Sequence, residues 1–259
     1  MTPRSMCSVL LLALVAGCHP PSGKPNAELA PAPVKLSANT YQVDSIWNRA
    51  VSKFRGGNFH GASDDFQKAL LEFMPGDARI PEAHFFLGES YFGSGSQLQA
   101  VREFRRVSDE YPNNPLAPDA LERAGDAYAD LWSRPELDPT YGRSAIATYT
   151  ELLNRYPESP AAAKAKVQLA ALSDKFAWKE WEAAQFYLKN KAIDSAILYL
   201  KSLVATYPNT PAAQLALVKL VTIYQALGYT QDAGEMCGAL RQYHPDTPNI
   251  DKLCPVAGG

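Results

Sequence analysis

The sequence predicts an all-α protein, a superhelical solenoid of about five helix pairs with a long bracing helix between repeats 3 and 4. Three observations predict it. From Asp44 onward a small residue is followed twelve residues later by an alanine, then by an apolar residue four further on and another three beyond that. Each copy of this pattern closes on a proline, a residue that stops helices. Between Ala161 and Lys189 there is neither Gly nor Pro, so the run from Pro160 to about Lys189 reads as one helix of some eight turns. No strand-like alternation of comparable length competes with these spacings.

Taken in chain order, residues 1–17 read as a removed signal peptide. Arg4 precedes an apolar stretch, Val9 to Val15, that is far short of the roughly 20 residues needed to span a bilayer. The run ends in Val15-Ala16-Gly17-Cys18, a small-residue cleavage site followed by the cysteine that a bacterial lipoprotein lipidates. Cys18 is therefore the expected lipid attachment site, and several acyl chains on it would anchor the mature chain stably. Residues 18–38 are rich in Pro, Ala, Ser and Lys with no apolar period, the composition of a disordered tether.

The repeats follow. The first carries Ala50, Ala62, Phe66 and Ala69; the second Gly88, Ala100, Phe104 and Val107; the third Gly125, Ala145, Tyr149 and Leu152. The fourth carries Ala184, Ala196, Leu200 and Leu203, and the fifth Val221, Ala233, Cys237 and Leu240. Only the third breaks the twelve-residue step: 145 − 125 = 20, an insertion of eight that contains Pro135 and Pro139 and so belongs to a loop. The closing prolines are Pro75, Pro112, Pro157, Pro208 and Pro245. A small residue facing an alanine lets two antiparallel helices approach closely, and Phe or Leu one turn on fills the groove between them. One such pair cannot bury its apolar face, whereas stacked pairs can. This is the tetratricopeptide pattern. The long helix then divides an N-terminal lobe, 39–160, from a C-terminal lobe, 161–248, with a tail over 249–259.

Composition excludes some functions. Lys+Arg 25 against Asp+Glu 27 gives no positive field to hold a phosphate backbone, so no nucleic-acid partner is expected. The four histidines, His19, His60, His84 and His244, show no His-x-x-x-His spacing, and no Gly-x-Ser-x-Gly elbow, Ser-x-x-Lys or phosphate loop occurs. The expectation is no metal, no cofactor and no enzymatic activity. Glu122 and Asp126 share a helix face, as acidic pairs on solvated faces commonly do, and His84 beside Phe85 and Phe86 reads as a packing residue. With Cys7 in the signal and Cys18 lipidated, Cys237 and Cys254 remain. They are candidates for a disulfide pinning the tail to the last repeat; the alternative is a buried small side chain and an unrelated tail thiol.

In such a solenoid the first helix of each pair lines the concave face. Numbering the small residue as position 8, positions 5, 9 and 12 are Trp47, Val51 and Phe54 in repeat 1 and Phe85, Glu89 and Phe92 in repeat 2. These form a largely aromatic strip suited to an extended peptide; packing against a neighbouring repeat is the competing reading. The same positions are Glu122, Asp126 and Ala129 in repeat 3, ending the strip with two carboxylates. Trp181, Gln185 and Leu188, then Val218, Thr222 and Gln225, mark a second contact area.

A lipoprotein signal, a short tether and five such repeats resemble the BamD family of outer-membrane assembly lipoproteins. The segment from Ala50 to Ala62, AVSKFRGGNFHGA, resembles the family's first repeat, and Asp138-Pro139 followed by a helix ending Arg155-Tyr156-Pro157 resembles its third. The resemblance implies a scaffold of the β-barrel assembly (BAM) complex on the periplasmic face of the outer membrane. It assigns Trp47, Phe54, Phe85 and Phe92 to a groove for unfolded β-barrel substrates. It also implies that the C-terminal repeats hold a BamA-type barrel protein through its POTRA domains, with the face around Lys189, Lys191, Tyr199 and Arg241 bearing that contact, and that other BAM lipoproteins are partners. Two further readings stand beside it. One is a YbgF/CpoB-like lipoprotein coordinating cell-wall synthesis or envelope constriction, a group usually carrying a trimerising coiled coil, for which this chain has no sustained heptads. The other is an accessory subunit of an envelope enzyme or secretion system.

Overall fold

A computed structural model describes residues 38–255. The signal peptide, Cys18 and the tether up to residue 37 lie outside the described residues, as do the last four positions of the tail. Ten long helices pair in chain order: α1 (Ala38–Arg55) with α2 (Phe59–Glu72), α3 (Ile80–Gly93) with α4 (Gln97–Glu110), and α5 (Ala117–Leu131) with α6 (Thr140–Arg155). Next come α7 (Pro160–Lys189) with α8 (Ile193–Thr206) and α9 (Pro211–Leu227) with α10 (Thr230–Tyr243), before a one-turn α11 (Ile250–Leu253). Each of the ten long helices packs on its neighbours in sequence, α11 packs on α9, and no strand occurs among the described residues. The predicted tetratricopeptide solenoid is the observed fold.

Local chemistry starts and stops these helices. Asn58, Ser159 and Thr210 cap α2, α7 and α9 by accepting backbone N–H bonds from Gly61, Ala162 and Ala213. Pro160 and Pro211 occupy first helical positions, where a missing N–H costs nothing. The turns inside pairs need a left-handed residue: Gly57, Gly95 and Gly228 supply it at φ 75°, 81° and 75°. In the fourth pair Lys191 takes that role at φ 58°.

The small residues of the repeat do what their spacing predicts. A Cβ on Gly88 would lie 2.7 Å from the Phe104 ring, and one on Gly125 would overlap the Tyr149 ring. Only glycine admits those rings, and Phe66, Phe104, Tyr149 and Leu200 are fully buried at equivalent positions. The insertion in repeat 3 runs from Trp132 to Pro139 and is anchored at Trp132 and by two lysines of α7. Trp132 is fully buried, its ring centroid 4.2 Å from that of Phe176. Lys175 Nζ donates to the Trp132 carbonyl, while Lys179 Nζ donates to those of Pro135 (2.9 Å) and Leu137 (3.3 Å).

The 30-residue α7 is the long helix expected between repeats 3 and 4, and its packing shows how it braces them. Ala161, Ala165, Leu172 and Phe176, from its start to just past its middle, share a core with Leu121, Trp132, Tyr149 and Leu152. Ala177 and Ala184 in its second half share one with Leu200, Leu203, Ala213 and Leu220. The helix closes repeat 3 and is itself the first helix of repeat 4. About 45 Å of continuous helix thereby belongs to both cores.

Candidate functional site

The gap between α1 and α3 holds a cavity of about 300 Å³ lined by Trp47, Val51, Phe54, Phe66 and Phe86, with Asn48, Arg55 and Glu82 around it. Its rings support one another. Trp47 meets Phe66 edge-on at 5.5 Å, Phe54 lies 5.2 Å from Phe86, and Phe86 stacks on Phe66 at 5.9 Å. Trp47, Val51 and Phe54 share one face of α1 because they are spaced four and three apart. That face is held by Asp65 on α2, which is buried and accepts from Arg49 (2.7 and 2.8 Å) and pairs with Lys53 at 2.7 Å. Hydrogen bonding from Arg49 is the largest influence keeping this carboxyl well below the ordinary range, and it prevails over burial.

The second half of the expected strip is covered. Phe85, Glu89 and Phe92 are not an open continuation of the cavity. Phe85 packs edge-on against Phe104 at 5.6 Å, and Arg123 from α5 lies over Phe92 with 4.3 Å from Cζ to the ring centroid. Arg123 also donates from Nη2 to Glu89 (3.0 Å) and from Nη1 to Asp126 (2.8 Å). Burial alone would make Arg123 less basic, but its carboxylate partners raise its pKa above the ordinary arginine value. Phe86 and Arg123 are two of the side chains that counting positions 5, 9 and 12 missed. Both stand at position 6 of their repeats, so each faces the preceding repeat's strip, and a count including the partner wall would have found them.

In the third repeat Glu122 is buried and accepts from Lys164 Nζ at 2.9 Å; burial raises its pKa, partly offset by that lysine. Asp126 accepts from the Tyr149 hydroxyl at 2.6 Å, and burial first, then this bond, raises the tyrosine's pKa. These carboxylates are committed to structure. His84 is buried with Nδ1 2.8 Å from Glu103, beside a second cavity of about 420 Å³ between α2, α3 and α4 lined by Leu70, Leu71, Ile80 and Arg106. Among the described residues there is no cluster of three or more metal-ligating side chains, and no helix is long and apolar enough to cross a membrane.

Of the four residues assigned to a partner face, Lys189, Lys191 and Tyr199 belong to the α7–α8 pair and Arg241 to α10. Lys189 and Lys191 are exposed at the α7–α8 turn, and Tyr199 stacks on Tyr187 at 5.1 Å. Phe186, one turn before Lys189, and Leu198 are exposed as well. Arg241 sits near the far end of α10, where it donates to Asp251 (3.3 Å) and to the Cys254 carbonyl. Cys237 and Cys254 are joined in a disulfide, with Cα atoms 5.6 Å apart, so the tail is pinned to α10.

Comparison with known proteins identifies the family. The chain is 28% identical over 233 residues to the outer membrane protein assembly factor BamD of Caulobacter vibrioides, covering 88% of this chain and 72% of that protein. It is 27% identical over 257 residues to the BamD of Vibrio cholerae, covering 95% and 100%. To the BamD of Neisseria meningitidis serogroup A it is 28% identical over 220 residues, covering 80% and 81%. The YfiO family, described as outer membrane lipoprotein, matches residues 39–237, from α1 into α10 and across both cores joined by α7. The chain belongs to the YfiO family of outer membrane lipoproteins.

Proposed function

We propose that this chain is a non-enzymatic scaffold of the outer-membrane β-barrel assembly complex, held to the periplasmic face of the outer membrane by lipid on Cys18. Its N-terminal repeats take up an extended apolar segment of an unfolded barrel protein, and its C-terminal repeats hold a BamA-type partner. The observation that carries the first part is the aromatic-walled cavity between α1 and α3. Rings facing a gap of this size suit a bulky apolar side chain, with Asn48 and Glu82 at hand for the segment's backbone. The names of the relatives, assembly factors from three bacteria, agree with this reading. For the partner, the exposed α7–α8 turn with Lys189, Lys191 and Phe186 is the better candidate, since Arg241 is engaged with the tail.

The test is capture of a fluorescent peptide from the C-terminus of a β-barrel protein. Val51→Asp and Phe54→Glu place charge in the cavity, and each is expected to weaken capture at least tenfold, about 1.4 kcal/mol or more, with helicity unchanged. Undiminished capture by both folded variants refutes the site.

A further inference from the structure

The two gaps of the N-terminal concave face are built on the same repeat positions, yet one is open and the other filled. In the first, Trp47, Val51 and Phe54 face Glu82 and Phe86 across the cavity. In the second, Phe85, Glu89 and Phe92 stand at the corresponding positions of α3, facing α5. The facing residues correspond too: 123 − 86 = 37, the same offset as 125 − 88 = 37 between the repeats' glycines, so Arg123 stands where Phe86 stands one repeat earlier. Its guanidinium covers the Phe92 ring at 4.3 Å and spans Glu89 and Asp126.

We propose that the gap between α3 and α5 is a second subsite of the groove, occupied from within by Arg123, and that Arg123 thereby sets how many bulky apolar side chains the groove accepts. The inference rests on the groove reading above. An aromatic side chain entering the second gap would have to separate a guanidinium from two carboxylates and a ring, all partly desolvated, and charge-assisted hydrogen bonds of this kind are the strong ones. The first gap presents no such obstacle. A bound segment therefore places one bulky side chain between α1 and α3 and passes over Arg123. Side chains two or four residues apart share one face of an extended chain, about 7 and 13 Å apart at about 3.3 Å per residue.

The test uses the full chain and ten-residue fluorescent peptides of Ser, Thr and Asn carrying either one Phe or two Phe set two or four residues apart. The wild-type protein is expected to bind all three within about twofold, the statistical gain of a second Phe. Arg123→Met keeps the apolar stem and removes the fork; it should favour a two-Phe peptide over the one-Phe peptide by about tenfold, the value of burying one more aromatic side chain. A second variant, Arg123→Met with Glu89→Gln, leaves one fewer unpaired carboxylate and should show the same preference. If both variants keep wild-type helicity and thermal unfolding yet show no preference while the wild type binds, Arg123 does not occupy a subsite. A wild-type protein that binds none of the peptides overturns the groove reading, and the subsite with it.

Discussion

Asp65 shows how a single buried charge can govern a helix face it does not line. Its carboxylate joins α2 to Arg49 and Lys53 on α1, the helix whose other face carries Trp47, Val51 and Phe54. Because its folded pKa lies below the unfolded value, the carboxylate's contribution is fully present above the ordinary carboxylate range and is lost as pH falls toward its native pKa. Asp65→Asn is expected to cost about 1–3 kcal/mol near pH 7, the range for disrupting a hydrogen-bonded buried charge whose partners can reach water. The difference from wild type should narrow once the pH drops below about 4. Urea denaturation of both proteins at pH 7, 5 and 3 measures this; a difference that stays constant to pH 3 would mean that the carboxylate charge is not what joins the helices.

At the scale of elements, the sequence pattern carried information unevenly. Helix pairing was legible because the close approach of two helices demands Gly or Ala, and Gly88 beneath Phe104 and Gly125 beneath Tyr149 meet that demand at the predicted positions. The role of Arg123 was not, since a lone arginine on a helix reads as a solvated charge until the facing helix is known. Lys191 was equally opaque: its left-handed backbone becomes visible only against the glycines in three sister turns. The pairing of Cys237 with Cys254 could not be fixed by spacing, because two cysteines in an oxidising compartment admit both a bond and none. The bond closes a sequence separation of 17, and together with Gln225 Nε2 donating to the Leu253 carbonyl at 2.9 Å it holds α11 against α9 and α10. Reduction, or Cys254→Ser, should lower stability by about 3 kcal/mol on the chain-entropy model. Hydrogen exchange should quicken in α10 and α11 while α1 to α6 keep their protection. Uniform quickening along the chain would show that the tail supports the whole stack and not its last pair.

For the whole molecule, the governing fact is that one helix belongs to two cores. The absence of Gly and Pro from residues 161–189 told of a long helix, and Ala184 at the small position of repeat 4 told where its second half packs; that its first half closes repeat 3 was not legible, because no repeat position falls there. Repeat stacks are nearest-neighbour systems whose cooperativity depends on the stiffness of each junction. Here the junction is α7 itself, with Phe176 in one core and Ala177 in the next. A break in α7 should therefore uncouple the repeats before it from those after it. Ala171 is exposed near the middle of the helix, so Ala171→Pro introduces the break without opening a core cavity. It removes a backbone hydrogen bond and sets a ring against the preceding turn, a cost of about 3 kcal/mol or more. Calorimetry should then resolve two transitions where the wild type is expected to show one, the later one sharing the disulfide dependence of the C-terminal repeats. A single transition, merely shifted down, would mean that side-chain contacts of α5 and α6 with α7, and of α7 with α9, couple the two cores without a continuous backbone.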